Sequence, residues 1–370
     1  MQTPRPSPPE APGADPVLVE SFTRVVALFH VARVTDAVAA LDTLSFRQRA
    51  AERRVWAPPS DTRMEQLTRF FLPSVTTYLA GRGGAGAHCA ARHSDPAVLR
   101  YRGLTLSTRE RTFVARLNGC ELYVFGTGVL ALVFDLSLER VRRGAAPPSA
   151  PTLANLAEFN HLLRKNHPAE APRLRMEGSE AAPAATAEPL LLRLRGAGAT
   201  LAEAAGILLA PAAAAGVSAQ AADECAYRVQ SYARLPEGTE LGSLAEPLFR
   251  LRRVVGASYQ VAPRELALDR RADVLRTWGN VVLGVSLEGM SMVVVDTGHA
   301  FAAEFAARAR GAYFAHYLLA LHQRAALRHL ALQAAGLPAV EGAVSAATLR
   351  TVQALRAAAA NFTLHHRFSQ

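Results

Sequence analysis

Half of the 370 residues are hydrophobic, ample for a core and enough for roughly two domains or one large mixed one. The formal charge of +10 invites a nucleic-acid reading, but Lys165 is the only lysine and the arginines are scattered among acids, as in Arg270-Arg271-Ala272-Asp273, not gathered in a stripe. No nucleic acid is therefore expected as a partner, and charge alone leaves only weak nucleic-acid binding or weak attraction to anionic lipid surfaces as alternatives.

Three widely spaced cysteines (Cys89, Cys120, Cys225) and the lack of a signal-like apolar segment at the start point to a reduced, cytoplasmic setting. Residues 1–14 are rich in Pro and read as a disordered tail. Phe22 to Val31 reads as a buried strand centred on Val25-Val26-Ala27-Leu28-Phe29. Thr35 or Asp36 can cap the helix that follows, and Glu65 to Leu79 is a helical stretch broken by Pro73.

Gly81-Arg82-Gly83-Gly84-Ala85-Gly86 matches G-x-G-x-x-G in letters. It follows a helix instead of separating a strand from a helix, so a flexible loop is the expectation there and no dinucleotide is called for. His88, Cys89 and His93 lack the second ligand pair of a zinc site. Further on, Asn118-Gly119 between Phe113–Leu117 and Cys120–Val124 predicts a tight hairpin, with Arg116 opposite Glu121 as a cross-strand pair. Gly126-Thr127-Gly128 turns the chain into a third strand, Val129 to Leu138, completing a meander.

Thr152 can cap a helix running to Lys165 with Leu156, Phe159 and Leu163 inward. Ala204 to Ala222 carries no charge over 19 positions, the length of a membrane span, yet it is mostly Ala with Gly206, Pro211 and Gly216; a helical hairpin or an Ala-rich surface helix is expected. Leu244 to Val255 is amphipathic, with Pro247 in its first turn. Val281 to Asp296 reads as two strands joined at Glu288-Gly289, with Leu287 facing Met290, Val285 facing Met292 and Leu283 facing Val294.

Asp296 or Thr297 can cap a helix that continues through Gly311 toward Gln333. Phe314, Leu318, Leu321, Ala325 and Leu332 form one stripe on it, and Leu319, Ala326 and Leu330 a second, the pattern of a helix held between two layers. Ala346 to Ala360 is helical and should fold back on it. The chain stops at 370 inside what reads as an element, as a chain that continues further would.

The fold class that follows is α/β (α+β): largely antiparallel sheets packed by helices, with a long C-terminal helical hairpin. The expected division is a tail (1–14), an N-terminal α/β domain with the meander (15–175), a linker (176–189), a second α/β part (190–300) and the helical hairpin (301–370).

Tyr317-Leu318-Leu319-Ala320-Leu321-His322-Gln323-Arg324, followed by Phe362-Thr363-Leu364-His365-His366-Arg367-Phe368-Ser369, resembles the C-terminal helical region of bacterial CorA-like proteins. Those are mostly uncharacterised cytosolic relatives of the CorA divalent-cation transporters. Phe125-Gly126-Thr127-Gly128-Val129 looks like their first sheet. The resemblance covers most of the chain as an order of elements. It implies an α/β domain leading into long helices, homo-oligomerisation, a place at the inner face of a membrane beside a cation transporter, and Mg²⁺ as the one candidate ion. The transporters' Gly-Met-Asn signature is absent, since Gly289-Met290-Ser291 lies in a hairpin and lacks the Asn.

The function expected is thus non-enzymatic self-association or sensing, with no catalytic, cofactor or metal residues assigned. Tyr313, Tyr317, His322, Arg324, Phe362 and Phe368 are the candidate interaction residues. The alternative is a hydrolase or transferase using Asp296 and His299, although no Ser or Cys nucleophile lies beside them. His316, His322 and His329 are not at the i,i+4 spacing of a helical metal pair.

Overall fold

The computed structural model describes residues 15–365 apart from 49–50, 72, 81–88, 166, 168–169, 177–188, 220–226, 267–273, 299 and 338–344. The glycine run 81–86, the segment 177–188 that makes up most of the expected linker, His299 and Phe368 lie outside the described residues.

β1 (Glu20–Val31) is buried on both sides along Ser21–Ala27 because both its faces and both its edges are covered, as its largely apolar run from Val25 to Phe29 requires. It pairs antiparallel with β8 (Val129–Arg143) on one edge and with β11 (Arg228–Leu235) on the other. Beyond β11 come β14 (Gly289–Val295), β13 (Val281–Val285) and β12 (Val274–Trp278). β11 and β14 run parallel, while every other pairing within this 12-stranded sheet is antiparallel. The strands of 190–300 therefore complete the sheet begun in 15–175, and the two parts share one layer.

On the other side β8 meets β7 (Arg111–Phe125), and Gly126-Thr127-Gly128 makes the turn between them as expected. Asn118-Gly119 is not a turn: β7 runs through it as one strand of 15 residues, and the pair is a bulge in the ladder to β8. The reason is tertiary. The far edge of β7 is shared between β6 (Tyr101–Ser107), which pairs with its first half, and β5 (Cys89–Ser94), which pairs with its second. At the handover Ser94 Oγ accepts from Cys120 N at 2.8 Å and would sit 3.1 Å from a Cβ on residue 119, so Gly is wanted for room. Asn118 spans to β8, donating to Asp135 Oδ1 at 2.7 Å and Ser137 Oγ at 2.9 Å. The meander is β6–β7–β8.

The second hairpin keeps its apolar face but is shifted by two residues from the expected register: Val285 faces Met290, Leu283 faces Met292 and Val281 faces Val294. Leu287-Glu288 is the loop, closed by Ser286 N donating to Gly289 O, while Ser286 Oγ accepts from the N–H groups of Glu288 and Gly289. Gly289 serves the parallel partner instead of the turn. A Cβ there would stand 2.7 Å from Val229 O and 2.6 Å from Val254 Cγ2.

One face of the sheet (Val25, Ala27, Leu130, Leu132, Phe134, Leu136, Ala233) is covered by five helices. They are α1 (Val34–Asp42), α4 (Leu153–Arg164), α5 (Pro189–Arg195), α6 (Leu201–Leu209) and α7 (Ala245–Arg253). Thr152 closes a capping box with Asn155 at the start of α4. Arg33, not Thr35 or Asp36, occupies the N-cap of α1, and Asp36 lies inside the first turn. The uncharged Ala-rich run becomes α6, a 3-10 turn and the short strand β10 (Val217–Ala219), with Leu201, Leu208 and Ala212 buried.

The opposite face (Phe22, Val26, Val129, Ala131, Val133, Tyr232, Met292) carries α2 (Asp61–Thr68), α3 (Pro73–Leu79), α8 (Ala300–Arg310) and α9 (Ala312–Ala335). α10 (Ala346–His365) packs back on α9. The expected single helix from 301 to 333 is therefore two, broken at Gly311, where a Cβ would meet Gln66 O at 2.8 Å. The expected apolar stripes are used within the chain over their first turns, where Phe314, Leu318, Leu321 and Ala325 are buried, as are Leu319 and Ala326; at their far end Leu330 is half-buried and Leu332 exposed.

Gly206, inside α6 with open space around it, and Gly289 make opposite predictions. Gly206→Ala should raise stability by about 0.5–1 kcal/mol through chain entropy. Gly289→Ala should lower it by about 1–3 kcal/mol through overpacking. Urea denaturation of the two variants beside the wild type checks both signs.

Candidate functional site

Arg24 sits in the middle of β1, on the face toward α8 and α9, with no exposed surface at all. An unpaired guanidinium there would be prohibitive, so the neighbouring strands supply the counter-charges. Arg24 Nη2 makes an ion pair with Glu121 of β7, and Arg24 Nε lies 3.8 Å from Asp135 of β8. Its Nη1 donates to the carbonyl of Arg310 at 2.9 Å, and the ring of Phe314 lies beneath it, 3.6 Å from Cζ.

Arg63, from α2, donates to Glu121 Oε1 at 2.8 Å and to the same Arg310 carbonyl at 2.9 Å. Gln230 of β11 donates to the Ala309 carbonyl at 2.8 Å. These two carbonyls end α8 at the break before Gly311, so three donors, buried Arg24 and Gln230 from the sheet and half-buried Arg63 from α2, fix where the helical layer bends. Arg310 itself turns back over Phe22 (3.9 Å), with Nε 3.5 Å from Asp135 and Nη1 3.7 Å from Glu20.

Burial works against the charge on Glu121, but Arg24, Arg63 and the Tyr123 hydroxyl (2.7 Å) hold its carboxyl well below the usual range. Both oxygens are engaged, so this carboxylate is a poor base. Burial, together with the charge of Glu121, keeps the Tyr123 phenol protonated. Burial also lowers His93, which faces Glu121 in the β5–β7 register. The arrangement is an ionic lock between sheet and helices. Glu121 thus pairs with Arg24 and Arg63, not with Arg116 as the sequence suggested; Arg116 takes Asn118 (2.9 Å) and Glu139 (3.5 Å).

Of the expected interaction residues, Tyr317 and His322 are removed from any surface by burial. His322 stacks on Phe125 at 4.0 Å, and its Nε2 lies 2.8 Å from Thr127 Oγ1. Tyr313 is half-buried against Phe305 and Phe70, and Phe362 packs against the same core. Arg324 is exposed, reaching Leu287 O at 3.4 Å.

The other helical histidines are packing groups as well, His316 on Phe71 at 4.1 Å and His329 on His30 at 3.6 Å. No group of three His, Cys, Asp or Glu among the described residues is placed to hold a metal ion. Asp296 accepts from Gly298 N at 3.0 Å and lies 3.6 Å from Arg234, so it braces the end of β14.

The outer surface of the C-terminal pair has a different character. From Ala331 to Gly336 every residue is exposed, and α10 is exposed along most of its length. Leu327, Leu332, Leu349 and Val352 stand in solvent. Arg324, Arg328, Arg350 and Arg356 share these two helices, and neither helix contains an Asp or Glu. Of the residues that sequence reading singles out in this region, Arg324 lies on this surface; the lack of acids along both helices is a further feature legible in the sequence.

No protein-family model, no curated protein and no solved structure matches the chain.

Replacing Glu121 with Gln leaves Arg24 buried beside too little negative charge, and should cost about 3–5 kcal/mol. Because folding lowers the Glu121 carboxyl, its contribution is whole above the ordinary value of 4.5 and fades as the pH falls below it. Thermal melts across the acid range should therefore show a flatter acid limb for Glu121→Gln than for the wild type.

Proposed function

We propose that this chain is a non-enzymatic interaction domain that docks on an anionic lipid surface through α9 and α10. The observation that carries the reading is the pair of helices itself: exposed leucines and valine, four arginines and no acid. Basic amphipathic helices lie in the interfacial plane with their apolar side chains in the headgroup boundary. Each arginine near an anionic surface contributes about 1 kcal/mol, so four give about 4 kcal/mol, close to three decades in affinity.

A peripheral contact is meant, since no helix among the described residues is long and apolar enough to cross a membrane. Charge also weighs against the second copy that the sequence suggested as partner, because two such arms would bring like charges together. The CorA-like resemblance belongs to this proposal too, because it puts the chain beside a membrane and assigns no reaction to it.

Co-sedimentation with phosphatidylserine-containing and pure phosphatidylcholine vesicles tests it. Binding should appear only with the anionic lipid, fall with salt, and be lost when Arg324, Arg328, Arg350 and Arg356 are changed to Gln together. A protein that ignores both vesicles but forms a dimer in light scattering, broken by Leu349→Asp, would replace the lipid reading with self-association.

A further inference from the structure

At the β12 end of the sheet, α7 packs over β14 and β13. Between it and β12, the edge strand, opens a cleft of about 480 Å³. Strand register fixes what faces this space. Val274 and Val282 belong to the α7 side of the sheet, and Arg276 stands opposite Val282 in the β12–β13 ladder, so its side chain shares their face. The helical wall is Ala245, Leu248 and Phe249, an i, i+3, i+4 set on one side of α7.

Two observations point to a ligand. Gly242, in the 3-10 turn before α7, lines the cleft with nothing within 4 Å of the place a Cβ would take, so there is room for added atoms. Arg276 is the one charged side chain lining it among the described residues, and it is exposed, which puts it at the mouth. Its guanidinium enters no hydrogen bond or ion pair among those residues. The cleft thus pairs an apolar interior with one positive charge whose donors are all free.

We propose that this cleft binds a medium-chain monocarboxylate. The hydrocarbon chain lies between α7 and the floor made by Val274 and Val282, and the carboxylate meets the planar fork of Arg276 at the mouth. The volume suits such a molecule, since small-molecule sites run from about 300 to 1,000 Å³. A cationic head would be repelled by Arg276, and a multiply charged one would exceed the single counter-charge. α9 covers the opposite face of the sheet and carries α10 outside it, so this site does not depend on lipid docking.

Calorimetric titration of the full chain with hexanoate, octanoate and octylammonium tests the assignment. Affinity should rise about fourfold for each methylene added between hexanoate and octanoate, the worth of burying it. Octanoate should bind about tenfold tighter than octylammonium, which has the same tail and the opposite charge. Arg276→Gln should weaken octanoate about fivefold, the upper scale for an exposed ion pair, and narrow the gap to octylammonium. Gly242→Leu should fill the cleft and abolish octanoate binding, with an unchanged circular dichroism spectrum. Leu349→Asp should leave octanoate affinity unchanged while it weakens vesicle binding. No octanoate binding to the wild type, affinity that does not grow with chain length, octylammonium binding as tightly as octanoate, or octanoate affinity indifferent to Arg276→Gln or to Gly242→Leu, would overturn the proposal.

Discussion

A charged side chain in the centre of a buried strand governs this structure. Once Arg24 is placed on β1, counter-charge must stand beside it, and Glu121 and Asp135 supply it from β7 and β8. Its remaining donor takes an oxygen from the covering layer, and carbonyls released from the helical ladder are the acceptors best placed to give one. The bend at Gly311 frees the carbonyls of residues 309 and 310, and Arg24, Arg63 and Gln230 take them. A buried network of this kind adds little net stability over apolar packing. What it contributes is one permitted position of α8 and α9 over the sheet.

That lock also decides what the surface can do. By bending the helical layer it leaves a cleft at the polar end of β1 and β8, lined by Arg310, Arg116 and Glu139. By drawing Phe314, Leu318 and Leu319 inward it uses the near half of α9 for the core and leaves the far half, with α10, to face outward. The cleft and the outward half of the helical pair thus share an origin but no residue.

Much of this was legible in residue order. A continuous apolar run gave β1, alternation gave β8, the apolar face of β7 and that of the second hairpin, and Thr152 announced α4. The errors share a cause, which is that local turn chemistry was overruled by a neighbour distant in sequence. Asn118-Gly119 is a strong hairpin signal, but here two strands divide one edge of β7 and Ser94 fills the space a side chain would need. Gly289 and Gly311 likewise owe their places to Val229 and Gln66. One clue to the central site was available: Arg24 is the only charge inside an otherwise apolar strand, and such a residue demands an acid from elsewhere. Which acid could not be read without the strand order, and Glu121 looked better matched to Arg116.

The position of β1 has a consequence for biosynthesis. Residues 20–31 leave the ribosome before both of their partners, so one edge of that strand waits for β8, at 129–143, and the other for β11, at 228–235. Until β11 emerges the nascent chain therefore carries a greasy strand with at least one open side, the situation in which chains pair with the wrong neighbour. A guanidinium in the middle of that strand discourages such pairing, because no stranger's sheet would arrive with two carboxylates at the right height. The same arginine that dictates the finished architecture thereby guards the unfinished one.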